Sequence, residues 1–258
     1  MPNFGDLNYW ENRYLEQRET NFDWLEDYDS LKPFFDDIVK NLSTESMLKN
    51  NLNNIQYSPN ILMLGCGNSE LSDKLHRGMN LKNIYNIDNS SNVIKSMAER
   101  YQNMQWQTMD AKQLRYENSF FDMVIDKATM DSVLCGDNAF QDVAMMTKEV
   151  QRVLKIHGVY ILVSYGEPDS RNRHLQQEHL NFDVQIQCLK KSFVISNPNE
   201  IGGGQLQEKT HWIYICKKLP GADAISQQNF PNVFLELGRC DILEEEDFDL
   251  LEEAEADK

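Results

Sequence analysis

The sequence is short of the residues that would announce a disulfide scaffold, a metal site or a membrane span. Its five cysteines (Cys66, Cys135, Cys188, Cys216 and Cys240) are scattered, odd in number and never paired as CxxC. No signal-peptide pattern opens the chain. Both features fit reduced thiols and a cytoplasmic location. The five histidines form neither an HExxH motif nor a Cys/His cluster, so no metal is expected. The longest apolar runs, such as VYILV at 159–163, fall far below the roughly 20 residues a helical span requires, so no membrane is expected as a partner. Basic charge is also scarce. With 25 Lys+Arg against 41 Asp+Glu the net charge is −16, a balance that disfavours nucleic acid as a partner. The deficit is uneven, because residues 241–258 hold ten acids and one base. The first 240 residues therefore carry about −7, an ordinary value for a soluble domain.

What is present is an apolar share of 41% and a change of rhythm near residue 60. Before it, Tyr9, Trp10, Tyr14 and Leu15 have helical spacing. A second helix is predicted behind Asp29 or Ser30, with Leu31, Phe34, Phe35, Ile38 and Val39 on its apolar face. From residue 60, short apolar runs (61–65, 83–88, 104–109, 121–126 and 159–165) alternate with SELSDKLHRG, SSNVIKSMAERY and NAFQDVAMMTKEVQRVLK. Strands alternating with helices of this length predict right-handed βαβ crossovers and an α/β fold on a parallel sheet. Residues 181–195 and 209–218 read as two strands with no helix between them, hence an antiparallel hairpin at the end. Three regions follow: 1–59, an N-terminal helical extension; 60–218, the α/β domain; and 219–258, an acidic extension expected to be partly disordered.

The chemistry sits at the strand ends, where ligands of open α/β sheets bind. ILMLGCGNSE puts Gly65 and Gly67 after the first strand, where missing Cβ atoms let a ligand approach the backbone. Asp88 closes the next strand, 21 residues after Gly67, and a carboxylate there can accept both ribose hydroxyls. Asp110 follows the third, placed to accept from an adenine amine with the Ala111 amide facing a ring nitrogen. Each acid alone suits a loop cap equally well; the ordered set points to an adenosine ligand. A dinucleotide fingerprint has a third glycine where this chain has Glu70. A carboxylate at that helix start opposes a pyrophosphate and tolerates a cation, which favours S-adenosylmethionine over NAD.

GCGNSELS, NIDNSSNVIKSM, WQTMDAKQL and FDMVIDKATMDSVL together resemble the class I S-adenosylmethionine-dependent methyltransferases of the methyltransferase-like 13 group, and YWENRY and Asp23-Trp24 match its N-terminal element. The resemblance covers about residues 8–218. It implies a Rossmann-like fold: a mostly parallel seven-stranded sheet with an antiparallel C-terminal hairpin and helices on both faces. The 1–59 extension would then be a cofactor lid. It also implies S-adenosyl-L-methionine as cofactor, S-adenosyl-L-homocysteine as product, and cofactor contacts at Trp10, Tyr14, Trp24, Gly65, Asp88, Asn89, Asp110, Ala111 and Lys127, the last mainly through its backbone. Read without the resemblance, the three aromatics are packing residues and Lys127 a surface lysine. Two positions depart from the group: Ala128 where glycine is usual, and Asn89 where a tyrosine stacks on adenine.

Methyl transfer from a sulfonium needs alignment more than acid–base chemistry. Asp131 is the candidate for orienting an incoming amine, with a helix N-cap as its alternative role. Asp126-Lys127-Ala128-Thr129 is not the Asn/Asp-Pro-Pro-aromatic loop of adenine-N6 and glutamine methyltransferases, and no double-Glu loop of arginine methyltransferases is recognisable. With the acidic surface, these absences point to a basic protein substrate. The resemblance makes it a lysine of translation elongation factor 1-alpha, modified by a monomeric protein-lysine N-methyltransferase. A methyltransferase for another protein or a small molecule, and a non-catalytic S-adenosylmethionine-binding module, are the alternatives.

Overall fold

The computed structural model describes residues 3–16, 20–50, 57–196 and 204–256. Two helices, α1 (Leu7–Glu16) and α2 (Tyr28–Asn50), precede the sheet. There follow β1 (Asn60–Leu64), α3 (Leu71–Gly78), β2 (Asn83–Asp88), α4 (Ser91–Arg100), β3 (Gln105–Thr108), β4 (Phe121–Lys127), the short α5 (Thr129–Val133) and α6 (Ala139–Val153). The chain ends with β5 (Leu154–Ser164), α7 (Pro168–Leu175), β6 (Phe182–Ser196), β7 (Gly204–Lys218) and α8 (Ala222–Ala256). The seven strands form one sheet in the order β3-β2-β1-β4-β5-β7-β6. β1 to β5 are parallel; β7 runs antiparallel to β5 and to β6. This is the class I Rossmann-like arrangement, with its switch point between β1 and β4.

Alternation along the strands builds two cores. Ile61 and Met63 face α1–α4 with Ile84, Met123 and Ile125, whereas Leu62 and Leu64 face α5–α7 with Val124, Tyr160 and Leu162. All but one of these side chains are essentially sealed from water, as strands covered on both faces require. The cap of α2 is Asp27, not Asp29 or Ser30: its Oδ1 accepts from the Ser30 amide at 3.0 Å and the Ser30 hydroxyl at 2.7 Å.

The C-terminal region differs from the sequence expectation, since Ala222–Ala256 is helical throughout. Its first half packs on the domain, with Ala222 and Val233 buried. Lys218, fully buried, donates to the Leu154 carbonyl (2.9 Å) and to Asp223 (2.7 Å) where α8 begins. Asp241 belongs to the acidic run in sequence, yet it is buried and accepts the amides of Phe140 (2.8 Å) and Gln141 (3.1 Å). Those are free N–H groups in the first turn of α6, so one helix caps another. A cap supplied from a hundred residues away has no local sequence signal.

Candidate active site

Because β1, β2, β3 and β4 are parallel and in register, their carboxyl ends open on one edge of the sheet. Gly65 and Gly67 adopt φ of +60° and +52°, the left-handed region natural to glycine. Their space is also claimed from within the protein. A Cβ on Gly65 would overlap Thr129, and one on Gly67 would lie 2.8 Å from the Tyr14 hydroxyl. The Gly67 amide donates to Asp88 Oδ2 and the Ser90 amide to Asp88 Oδ1, both at 2.9 Å. Asp88 is 7% exposed, and burial pushes its carboxyl up to about 6 against the pull of those two amides, with the Glu11 charge adding to the rise. Each Asp88 oxygen retains a lone pair for a hydroxyl.

Asp110, beyond β3, accepts the Lys112 amide at 2.8 Å. Lys112 crosses to Asp142 of α6, Nζ to Oδ2 2.8 Å. At the end of β4, Asp126 is sealed among apolar side chains, and burial raises its carboxyl to about 7. It accepts from Tyr160 Oη (2.9 Å) and from the amides of Thr129 (2.8 Å) and Met130 (3.2 Å), thereby capping α5. Thr129 Oγ1 in turn donates to the Leu64 carbonyl at 2.7 Å, fastening β4's end to β1's. Ala128 adopts φ +69°, so it occupies a left-handed position where the related group uses glycine. Asp131 lies inside α5 and is not an N-cap. It is ion-paired to Arg171 of α7 and accepts from Ser164 Oγ (2.5 Å) and the Tyr165 amide (3.3 Å).

Over this edge sits an aromatic roof. Trp10 stacks on Tyr14 at 5.7 Å and meets Trp24 edge-on at 6.0 Å; Phe4 and Phe22 pack against Trp24 at 5.8 and 5.1 Å. Trp10 Nε1 donates to the Phe4 carbonyl at 2.7 Å. α1 is fixed by Glu11, which accepts the Ser91 (2.8 Å) and Asn92 (3.2 Å) amides at the start of α4. Residues 20–26 form a strap held from below. Asn68 Nδ2 donates to the Thr20 carbonyl (2.7 Å), and Ser69 Oγ donates to Asp23. Lys127 Nζ donates to the Trp24 carbonyl at 2.9 Å and pairs with Asp23 Oδ1 at 3.2 Å. Beside the backbone contact expected of Lys127, its buried ammonium thus ties down the strap, and burial lowers its pKa.

These groups enclose one cavity of about 320 Å³, and Trp10, Tyr14, Trp24, Gly65, Gly67, Asp88, Asn89, Asp110, Ala111, Lys127 and Asp131 all line it. Phe4, Phe22, Ser69, Lys112, Thr129, Cys135 and Tyr165 also line it and were not singled out in the sequence. Only Thr129, three residues after Asp126, had a local signal, the spacing of a capped helix start. Four carboxylates face the space (Asp88, Asp110, Asp131 and Asp142), and its two lysines are each paired with an aspartate. That balance suits a cationic, phosphate-free nucleoside. Glu70 does not line the cavity; it bonds Asn21 and pairs with Lys74 at 3.6 Å. The paired lysines, and not Glu70, are thus what disfavours a pyrophosphate.

A doubly wound sheet with an acidic, aromatic-roofed nucleoside cavity at its switch point defines the class of S-adenosylmethionine-dependent methyltransferases. Residues 58–218 match the family described as "Methyltransferase domain", and the chain belongs to it. Among relatives, EEF1A lysine methyltransferase 4 of Bos taurus is 27% identical over 193 residues, covering 70% of this chain and 69% of its own. The human eEF1A lysine and N-terminal methyltransferase is 32% identical over 170 residues, 64% of this chain. The chain spans only 22% of that relative and of its mouse counterpart. The N-methyltransferase NodS from Bradyrhizobium japonicum, solved with S-adenosyl-L-homocysteine, superposes with TM-score 0.51 over 81% of this chain and 98% of its own. At 12% identity that likeness speaks for the fold alone.

Proposed function

We propose that the chain is a protein-lysine N-methyltransferase acting on translation elongation factor 1-alpha. The observation that carries the lysine reading is the acceptor-side wall. There the Asp131 carboxylate and the half-exposed Tyr165 ring border the same cavity as the adenosine-type contacts. A carboxylate beside an aromatic face suits an aliphatic ammonium. Relatives at 27–32% identity, named as eEF1A lysine methyltransferases, support elongation factor 1-alpha as the acceptor. The acidic balance of −16 favours a basic protein partner.

Bound S-adenosylmethionine supplies an electrophilic methyl on a sulfonium. The chain's own residues do the rest. Asp88 holds the ribose hydroxyls, Asp110 and the Ala111 amide hold the adenine edge with Asn89 beside it, and the backbone at Gly65 and Gly67 admits the methionine portion. Trp10, Tyr14 and Trp24 close the roof, exclude water and present aromatic faces to positive charge. Asp131 orients the acceptor amine for in-line attack, which proceeds from the neutral amine once its proton has left to solvent.

Mass spectrometry of recombinant elongation factor 1-alpha after incubation with the chain and S-adenosylmethionine tests this reading, with methyl increments on a lysine expected. If S-adenosylhomocysteine binds but no increment appears, the acceptor is wrong; radiolabel transfer in a lysate then separates another protein from a small molecule. If S-adenosylhomocysteine does not bind in calorimetry, the methyltransferase reading of the cavity falls.

A further inference from the structure

The loop after β5 is built around one side chain that the mechanism above does not use. Arg171, in the first turn of α7, turns back beneath the Tyr165–Glu167 segment. Its Nε donates to Ser164 Oγ at 2.8 Å, its Nη1 to Ser170 Oγ at 2.7 Å, and its Nη2 pairs with Asp131 Oδ1. Ser164 Oγ also accepts the Gly166 amide at 2.9 Å, so both its lone pairs are taken and its proton is directed at Asp131 Oδ1, 2.5 Å away. Arg171 and Asp131 are nearly sealed, with side chains 11% and 14% exposed. Gly166 makes the arrangement possible, since a Cβ there would land on the guanidinium carbon. Tyr214 Oη holds the same loop by donating to the Gly166 carbonyl at 2.7 Å.

We propose that Arg171 is a positioning residue: its fork, braced by Ser164, fixes the Asp131 carboxylate so that Asp131 Oδ2 is presented to the acceptor amine beside the Tyr165 ring. The inference rests on the lysine-transfer reading above. Both donors with strong geometry are gathered on Oδ1; among the described residues Oδ2 accepts only the Tyr165 amide, at 3.3 Å, and keeps a lone pair. The pair is neutral overall, so Asp131 acts by direction rather than by net charge. Because these contacts join α5 to the β5–α7 loop at the cavity wall, the fork also sets how far Tyr165 stands from Asp131. Arg171 touches no reacting atom, and everything it does for transfer passes through Asp131.

The test uses the full chain, S-adenosylmethionine and recombinant elongation factor 1-alpha. Arg171→Met is expected to lower kcat about tenfold or more, while the acceptor KM and the S-adenosylhomocysteine Kd change by less than about threefold. Gly166→Ala keeps the arginine but displaces its guanidinium, and is expected to act in the same direction. Combining Arg171→Met with Asp131→Asn should be no slower than Asp131→Asn alone, since one residue works through the other. If Arg171→Met does not fold, Arg171→Lys retains the charge without the fork and carries the same comparison. Unchanged kcat in Arg171→Met and Gly166→Ala, multiplied losses in the double variant, or an effect confined to KM or donor Kd would each overturn the proposal. An unaltered chain that binds S-adenosylhomocysteine yet transfers nothing to elongation factor 1-alpha overturns the acceptor reading and this inference with it.

Discussion

Replacing Lys127 by methionine is expected to weaken donor binding up to 10- to 100-fold while the sheet stays folded. The Lys127 ammonium makes two contacts to the strap, 2.9 Å to the Trp24 carbonyl and 3.2 Å to Asp23. Hydrogen bonds to charged groups contribute about 1.5–3 kcal/mol each. Part of this is offset, because the side chain is only 7% exposed and burial disfavours its charge. The strap also carries strain: Leu25 sits at φ +64°, between the Trp24 carbonyl and the Glu26 amide that donates back to it at 2.8 Å. A branched side chain in that tight turn costs about 1–2 kcal/mol, so the strap gains little by closing unaided. Asp23 keeps its bond from Ser69. A net loss of about 1.5–3 kcal/mol from the closed strap follows, which is roughly 10- to 100-fold in its population and lowers apparent affinity in proportion. Methionine preserves the apolar stem, so the packing loss is small. Calorimetry with S-adenosylhomocysteine gives the Kd, and hydrogen exchange across 20–26 reports strap opening. A Kd within twofold of the unaltered chain, or a collapse of the whole domain in thermal melting, would refute the latch.

Five further outcomes follow. Burial raises Asp88 to about 6 in the free chain, whereas hydroxyl donors favour its ionised form, so S-adenosylhomocysteine affinity should be flat at neutral pH and fall by up to a decade per unit below about 6; affinity independent of pH from 5 to 7 would contradict the ribose role. For stability the same raised pKa has the opposite sense: its contribution is full below the unfolded value of 3.8 and is lost as pH rises through about 6, which Asp88→Asn should abolish in pH-dependent melting. Ala128→Gly relieves a left-handed alanine at φ +69° and should stabilise by about 1 kcal/mol, raising Tm by roughly 2–4 °C; a lower Tm would count against it. Asp241→Ala removes the cap of α6 and should cost about 1 kcal/mol in chemical denaturation, whereas no loss would mean that water replaces the carboxylate. Truncation after Asp241 should slow low-salt association with a basic acceptor if the remaining acids steer it, without disturbing that cap.

The fold and the donor half of the cavity were legible because each is written in consecutive residues. The period of the strands, the glycines after β1 and the acids at the ends of β2 and β3 follow one another in the order the sheet arranges them. The helix α7 was not anticipated: PDSRNRHL is polar and short, and its place is fixed by Arg171 reaching Asp131, a contact spanning forty residues. α8 was masked by its acids, since composition alone makes a charged run resemble a solvated tail. It is the buried residues Ala222, Val233 and Asp241 that hold its first half on the domain.

The glycines show how a correct sequence signal can carry an incomplete reason. Missing Cβ atoms at Gly65 and Gly67 predict clearance for a ligand, but Thr129 and Tyr14 already claim those positions. Gly65 lets Thr129 reach the Leu64 carbonyl and lock β4 to β1, and Gly67 lets Tyr14 close over the loop while its amide fixes Asp88. The GxG turn therefore places the acid and the roof before any ligand arrives, and ligand approach follows from that placement. The same logic separates the two halves of the cavity. The proposed donor contacts hang on strand ends whose spacing the sheet dictates, whereas the proposed acceptor wall joins Phe22 of the strap, Asp131 of α5 and Tyr165 of the β5–α7 loop. On the proposed reading that wall is held by Arg171 with Asp131, so a change of acceptor would arise by altering that pairing while Gly65, Asp88 and Asp110 stay as they are.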